Sequence, residues 1–348
     1  MRLLQGYRAV AGGERLPSFA LDRSRLDEKI EAADRLLCRC CLCERRCGVD
    51  RYNGEAGFCG AAREGAYFFE HILWGEEKPL IPSHEIFFTG CNMRCDYCYS
   101  WEHVEDPSGG RILTPEEMAG LIDRRSLDGA VNVNLIGGEP TVNLSYIFKA
   151  LRCLQRPTAV VWNSNFYMSR EAMSLLDGVV DLYLGDFRFG NNACAARLAG
   201  TPDYFDAAAR NFMAAASSGD LIIRHLLLPG HTDCCLRPIA EWISHHLPDV
   251  PFNLMFQYTP FHKALSHSEL CRSLTETEED TARRLVEGLG LNTSLWNTPL
   301  KGATAMPSND NREELKTTIT FRPDGRVGIM HLYDDLLDVV KMLGRGHP

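Results

Sequence analysis

Three thiols stand within eight residues in the segment Thr89-Gly90-Cys91-Asn92-Met93-Arg94-Cys95-Asp96-Tyr97-Cys98, spaced C-x3-C-x2-C. The β-branched and aromatic run before them, residues 85–89, reads as a short strand, which places the thiols on the loop that leaves it. The next cysteine along the chain is Cys153. A structural zinc site closes a tetrahedron with four ligands. Three thiolates on one loop suit instead an iron-sulfur cubane with one iron left open for chemistry. Reduced thiols or half of a zinc site are the bland alternatives.

A second sulfur-rich stretch lies upstream. Cys38, Cys40, Cys41, Cys43, Cys47 and Cys59 stand among Gly48, Gly54, Gly57 and Gly60, a loop-rich composition that calls for a staple such as a metal. Cys40, Cys43, Cys47 and Cys59 form the ligand-like subset, with Cys38 and Cys41 as bystanders. Four thiolates fit either a structural zinc or a second iron-sulfur cluster.

The elements that must position these groups follow from periodicity. Residues 21–37 carry apolar positions at helical spacing and lead into the upstream cysteines. From there six apolar runs alternate with helical stretches: residues 85–89, 131–136, 159–163, 179–185, 221–228 and 252–256. Thr114-Pro115-Glu116-Glu117 offers an N-cap, a proline at the first helical position and a capping-box glutamate. Other helices are expected to start near Asn143, Ser169, Pro202 and Cys235. Such alternation predicts an α/β fold, either an open doubly wound sheet or a partial barrel.

In barrel enzymes the chemistry sits at the C-terminal ends of the strands, where this chain places several candidates. Gly137-Gly138-Glu139-Pro140 follows the second run, and glycines there let backbone approach a ligand closely. Asn163 and Asn165 end the third run with short polar groups. Asp186 and Arg188 end the fourth, spaced to point to one side of an extended strand. Arg224 and His225 lie in the fifth, and His262 follows the sixth. The Gly75-Glu76-Glu77-Lys78-Pro79 stretch is expected to be a turn with solvated or capping carboxylates.

Composition sets the bounds. With 348 residues and 45% hydrophobic side chains the chain fills a sizeable core. Its formal charge of −9 argues against general nucleic-acid affinity. The clustering of its 14 cysteines differs from a secreted disulfide framework, so a reducing cytoplasm is expected. The longest apolar runs fall well short of the ~20 residues that span a bilayer, so no membrane segment is expected. The chain is divided here into an N-terminal cysteine module (1–83), a core (84–262) and a C-terminal extension (263–348). That extension should hold an acidic helix within 273–289 and a loop over 297–311. Two strands, 317–321 and 326–330, should flank Pro323-Asp324-Gly325, ahead of a last helix over 333–343. No P-loop, nucleophile elbow or H-E-x-x-H motif is present.

The three-cysteine loop with Tyr97 before its last thiol resembles the signature of the radical S-adenosylmethionine (SAM) superfamily. The resemblance implies a partial (β/α)6 barrel and a [4Fe-4S] cluster on Cys91, Cys95 and Cys98. In that family the open iron chelates SAM, and one electron releases a 5'-deoxyadenosyl radical that abstracts hydrogen. Gly137 to Pro140 resembles the family's G-G-E-P motif, whose backbone contacts the SAM amino group; Tyr97 and this turn are then expected to position SAM. Asp186 and Arg188 resemble a D-x-K element that addresses the SAM carboxylate, with arginine here in place of lysine. Asn163 and Asn165 complete the expected cofactor-binding set. The upstream spacing, with Gly57-Phe58-Cys59-Gly60, resembles the N-terminal extension of pyruvate formate-lyase-activating-enzyme-like proteins. That branch implies a flavodoxin or ferredoxin as reductant and a glycyl-radical protein as substrate. Alternatives are radical modification of a small molecule, peptide or RNA, and a non-catalytic iron-sulfur electron-transfer or binding protein.

Overall fold

Runs of Val, Ile, Leu and Phe form one seven-stranded sheet in sequence order. Its strands are β1 (Tyr67–Leu73), β2 (Ser83–Phe88), β3 (Asn132–Gly137), β4 (Ala159–Ser164), β5 (Leu182–Asp186), β6 (Asp220–Leu226) and β7 (Phe252–Met255). The strands β2 to β7 are parallel, and β1 adds antiparallel to β2. This computed structural model describes residues 4–75, 77–294, 318–321 and 327–330. Helices α1 (Gln5–Ala11), α2 (Ser18–Leu21) and α3 (Arg23–Cys38) precede the sheet, and α4 (Trp101–Glu105) and α5 (Pro115–Leu127) join β2 to β3. After β3 come α6 (Leu144–Cys153), α7 (Arg170–Leu176), α8 (Asn192–Ala199), α9 (Tyr204–Ser218), α10 (Arg237–His246) and α11 (Glu276–Gly288). The architecture is the expected α/β partial barrel of six parallel strands.

Each strand serves two faces. Outward residues such as Ile86, Val133, Leu135, Trp162, Tyr183 and Ile223 are buried against the helices, each large side chain contributing about 1.5–3 kcal/mol. Inward residues change character along the barrel. At the lower end Val161, Leu182, Leu184 and Ile222 close on Tyr7 and Val10 of α1. That plug is pinned by polar contacts: Asn132 Nδ2 donates to Tyr7 Oη at 2.7 Å, and the Tyr7 amide donates to Asp220 at 2.7 Å.

Nearer the C-terminal strand ends the inward positions turn polar. Glu85 accepts from Asn134 at 3.2 Å and lies 3.0 Å from His71 Nε2. Arg224 donates to Asp186 at 2.8 Å and to Asn163 at 2.7 Å. Glu77 accepts from Asn253 at 3.0 Å and lies 3.6 Å from Arg224. Charges so enclosed are tolerable only when paired in this way. The Glu77 carboxylate, expected in a solvated or capping turn, is in fact 3% exposed inside the barrel. Asn253 and Arg224 are the partners that draw it inward.

Local signals act as read in two helices. Thr114 and Glu117 form a full capping box on α5, and Thr275 and Glu278 do the same on α11. The fourth expected strand begins at Leu182 because the chain leaving α7 is still turning at 179 and 180, whose amides donate to the Leu176 carbonyl. Strand β1 and helices α1, α2, α4 and α8 were not anticipated. The chain forms two compact units, Met1–Asn297 and Thr298–Pro348. In the second, β8 (Thr318–Phe321) pairs antiparallel with β9 (Val327–Met330), the two arms of the expected hairpin. The loop expected over 297–311 and the last helix over 333–343 lie outside the described residues.

Candidate active site

The chain leaves β2 through Gly90, whose φ of 76° suits glycine, and turns directly into the three-thiol loop. Gly90 donates its amide to the His103 carbonyl at 3.0 Å. The other side of the loop rests on the C-terminal end of α8: Arg94 and Asp96 amides donate to the Ala199 and Leu198 carbonyls at 3.0 and 2.9 Å. Cys91 and Cys95 are buried and Cys98 is half-buried. Burial pushes all three thiols up, Cys98 to about 12; the Glu139 charge adds to the effect at Cys91, and Arg188 opposes it at Cys95. Three thiolates here therefore call for a bound cationic centre, which deprotonates its ligands outright.

Donors already converge on these sulfurs. The Met93 amide lies 3.4 Å and Asn165 Nδ2 3.7 Å from Cys91 Sγ, and Arg188 Nη1 lies 3.9 Å from Cys95 Sγ. Tyr97 is buried, with its ring edge-on to Phe189 and Tyr258 at 6.4 and 6.1 Å.

The Gly137 to Pro140 turn meets this loop from β3. Its glycines are demanded by the protein's own backbone: a Cβ at Gly137 would overlap Phe88, and one at Gly138 would overlap the Gly90 carbonyl. Glu139 is 1% exposed, and its two oxygens accept four hydrogen bonds. These come from the Thr141 amide and hydroxyl, the Ser164 hydroxyl and the Asn165 amide, at 2.6 to 3.1 Å. Burial nevertheless raises its carboxyl above the ordinary range against those donors. Glu139 thus ties the end of β3 to the end of β4 and fixes Asn165, whose Nδ2 also donates to Asn92 Oδ1 at 2.7 Å.

Opposite stands a charged triad. Asp186 accepts from Arg224 Nε at 2.8 Å and from Arg188 Nη2 at 2.7 Å. Burial opposes ionisation of Asp186, yet the two guanidinium charges outweigh it and hold the carboxyl below its usual value. Two buried donors, Arg188 Nε and Asn163 Nδ2, have no partner among the described residues. Buried N–H groups left so are costly, and an acceptor from a ligand would relieve both. Their residues are linked through Asp186 and Arg224.

The four upstream cysteines lie near enough for their charges to act on one another. Cys43 is pushed to about 12, first by burial and then by the neighbouring Cys59, Cys40 and Cys47. Arg51 reaches in with Nη1 3.8 Å from Cys40 Sγ, and the Phe58 amide lies 3.5 Å from Cys47 Sγ. Cys38 is exposed and Cys41 half-buried. The set borders the signature loop: a Cβ at position 90 would lie 2.8 Å from the Cys59 carbonyl oxygen, and Arg94 donates to the Phe58 carbonyl at 2.7 Å. Arg45 donates to the Asn92 carbonyl at 2.8 Å.

Of the remaining candidates, Arg224 reaches into the barrel and pairs there at once. His225 Nδ1 lies 2.7 Å from the Phe187 carbonyl, away from the thiols' donors. His262 stacks on Trp101 at 4.6 Å and sits 3.5 Å from Glu105. Asn92 and Asn253 were not singled out in advance; polar residues on otherwise apolar strands, such as Asn253 in Phe252–Met255, were the signal available.

A partial barrel with three thiols on the loop after its first parallel strand defines the class of protein. The family model of the radical SAM superfamily matches residues 86–243. An uncharacterized protein of Methanocaldococcus jannaschii is 42% identical over 272 residues, 76% of this chain and 79% of that one. A 7-carboxy-7-deazaguanine synthase of Methanothermobacter thermautotrophicus is 29% identical over 102 residues, 29% of this chain and 41% of its own. Among solved structures, Streptococcus suis SuiB bound to its precursor peptide SuiA is similar at a TM-score of 0.44 and 10% identity, over 58% of this chain and 45% of that one. QueE from Escherichia coli is similar at a TM-score of 0.37 and 12% identity, over 55% of this chain and 83% of that one. The chain belongs to the radical SAM superfamily, which implies a [4Fe-4S] cluster and SAM as its cofactors. No helix among the described residues is long and apolar enough to cross a membrane.

The site fits that pair of cofactors. Three thiols leave one iron of a cubane free, sulfur-directed N–H groups suit cluster sulfurs, and two orphaned buried donors suit an anionic ligand.

Proposed function

We propose that Cys91, Cys95 and Cys98 hold the [4Fe-4S] cluster and that the wall opposite, Asn163, Asn165, Asp186 and Arg188, receives SAM. When bound, the cluster and SAM supply one-electron cleavage of the sulfonium and a carbon radical able to take a hydrogen atom from substrate. The protein's own part is positional. Arg188 Nε and Asn163 Nδ2 would donate to the SAM carboxylate, the acceptor they lack, and Asp186 holds the Arg188 fork in place for it. Glu139 holds Asn165 against Cys91, while Tyr97 and the Gly137 to Pro140 turn would position SAM. The observation that carries this reading is the pair of unpartnered buried donors, one of them on Arg188, whose Nη1 lies 3.9 Å from Cys95 Sγ.

For the substrate we propose a backbone glycine of a partner protein, the activity of the pyruvate formate-lyase-activating-enzyme-like branch, with electrons from a flavodoxin or ferredoxin. A small polar molecule taken into the barrel is the second reading. It is favoured by the charged inner layer of Glu77, Glu85, His71 and Arg224.

For Cys40, Cys43, Cys47 and Cys59 we propose a second [4Fe-4S] cluster in preference to zinc, because its loop touches Gly90 and so lies on a short route for electrons. Two cubanes predict about eight irons per chain in anaerobically reconstituted protein, and about four would overturn the second one. The central test is addition of SAM and a strong reductant, with chromatography for 5'-deoxyadenosine. The product should form with the intact protein and be lost in Cys95→Ala. Equal amounts from both would refute the reading. Glycyl-radical electron paramagnetic resonance with a candidate partner present separates the two substrate classes.

A further inference from the structure

One group of ligand-type side chains lies outside the site described so far. Cys194 near the start of α8 and His231, Cys234 and Cys235 after β6 bring their ligand atoms within 4.8 Å of one another. His231 Nδ1 lies 3.7, 3.2 and 3.5 Å from the sulfurs of Cys194, Cys234 and Cys235, and the Cys194 and Cys234 sulfurs are 3.8 Å apart. Four ligands at about 2.0–2.3 Å from a central ion in a tetrahedron are separated by about 3.5–4 Å. A cubane would spread its thiolates further, one to each corner iron.

We propose that Cys194, His231, Cys234 and Cys235 form a structural zinc site that locks the loops after β5 and β6 to each other.

Three independent features support it. First, the other ring nitrogen of His231, Nε2, lies 3.5 Å from the Glu269 carboxylate, the carboxylate–histidine arrangement that fixes the tautomer of a metal-binding imidazole. Second, Asn191 Nδ2 bridges both ligand segments, donating to Cys194 Sγ at 3.3 Å and to the Cys234 carbonyl at 2.6 Å. Third, residues Thr232–Leu236 form a π-helical turn in which the Leu236 amide reaches the His231 carbonyl at 3.2 Å. His231, Cys234 and Cys235 stand at i, i+3 and i+4 along it, the spacing that sets three side chains on one helical face. Arg197, paired with Glu269 and facing Cys194, offsets the net negative charge of three thiolates on a divalent ion. A disulfide between Cys194 and Cys234 would use two of the sulfurs and leave the placing of the imidazole unexplained.

The site has a task beyond local stability. Helix α8 carries Cys194 at one end and, at the other, the Leu198 and Ala199 carbonyls that receive the signature-loop amides. A Cβ at Gly190, two residues after Arg188, would overlap the Cys235 backbone. A metal at these four ligands therefore fixes both the helix on which the three-thiol loop rests and the chain that carries Arg188.

The test is zinc K-edge absorption on the anaerobically purified full chain, where iron does not interfere. About one zinc per chain is expected, with three sulfurs at about 2.3 Å, one nitrogen at about 2.0 Å and imidazole outer-shell scattering. His231→Ala should abolish the imidazole signature or lower zinc at least tenfold, and Cys40→Ser should leave the spectrum unchanged. Amide exchange at Arg94 and Asp96 should quicken about tenfold in His231→Ala. Absence of zinc from the intact protein, a four-sulfur shell without imidazole, or an unchanged spectrum in His231→Ala would overturn the site. Unchanged exchange would overturn its positioning role.

Discussion

Replacing Arg188 separates binding of SAM from assembly of the cluster. Its Nη2 is committed to Asp186 at 2.7 Å and its Nη1 faces Cys95 Sγ at 3.9 Å, while Nε is buried without a partner among the described residues. A hydrogen bond from that guanidinium to a ligand carboxylate is charge-assisted, worth about 1.5–3 kcal/mol. At 1.4 kcal/mol per factor of ten, Arg188→Met should weaken SAM binding about ten- to one-hundred-fold. Arg188→Lys should fall between, keeping the charge and losing the fork. Folding suffers less, by about 1–2 kcal/mol, because Asp186 keeps Arg224 at 2.8 Å and is not left as an unpaired buried charge. The assay is anaerobic equilibrium dialysis of SAM against protein with its iron content measured in parallel. The cluster's midpoint potential should also move negative as a donor to its sulfur is lost. Iron retained with SAM affinity within about twofold of the parent would refute the assignment of Arg188 to the SAM carboxylate.

Other outcomes follow from the same geometry. Glu139→Gln replaces one accepting oxygen by an NH2 group that faces an N–H or O–H donor and leaves that donor unsatisfied, so urea unfolding should show a loss of about 2–3 kcal/mol. Gly138→Ala sets a Cβ against the Gly90 carbonyl; overpacking of about 1–3 kcal/mol is expected, with iron incorporation falling several-fold because the displaced residue precedes Cys91. His225 is 1% exposed and burial lowers its pKa to about 4. The unfolded chain takes up that proton below about 6.5, so the stability present above this pH drains away as pH falls toward about 4. The loss is about 2 kcal/mol by pH 5. Urea midpoints at pH 7.5 and 5 should show it, and His225→Leu should lack that part of the slope.

What the chain reveals of itself beforehand depends on how locally each feature is encoded. Cys91, Cys95 and Cys98 could be read because one loop supplies all three ligands, and Asp186 and Arg188 because two residues along a strand return to one face. Capping at Thr114 and Thr275 is likewise complete within four residues. The barrel plug was invisible for the opposite reason. Helix α1 has seven residues and only Tyr7 and Val10 to bury, too few for a periodic signal, and its partners Val161 and Ile222 lie far along the chain. Glu77 was misread because solvation is the default for a carboxylate beside glycine, lysine and proline, whereas its partner Asn253 lies 176 residues away.

The cluster of Cys194, His231, Cys234 and Cys235 shows where such encoding is divided. His231, Cys234 and Cys235 stand at i, i+3 and i+4, a spacing that sets three side chains on one helical face and was the local signal available. The fourth ligand is the one hidden, because a single Cys194 in an alanine-rich helix carries no spacing at all. The barrel order supplies the rest, since β5 and β6 are neighbours and their following loops must meet. The same adjacency brings Asp186 against Arg224 in register. Both the polar wall opposite the three thiols and the proposed zinc ligands behind it thus depend on one strand pairing. A change that shifts β5 against β6 should therefore weaken SAM binding and zinc content together, whereas a change in either set of side chains should affect one before the other.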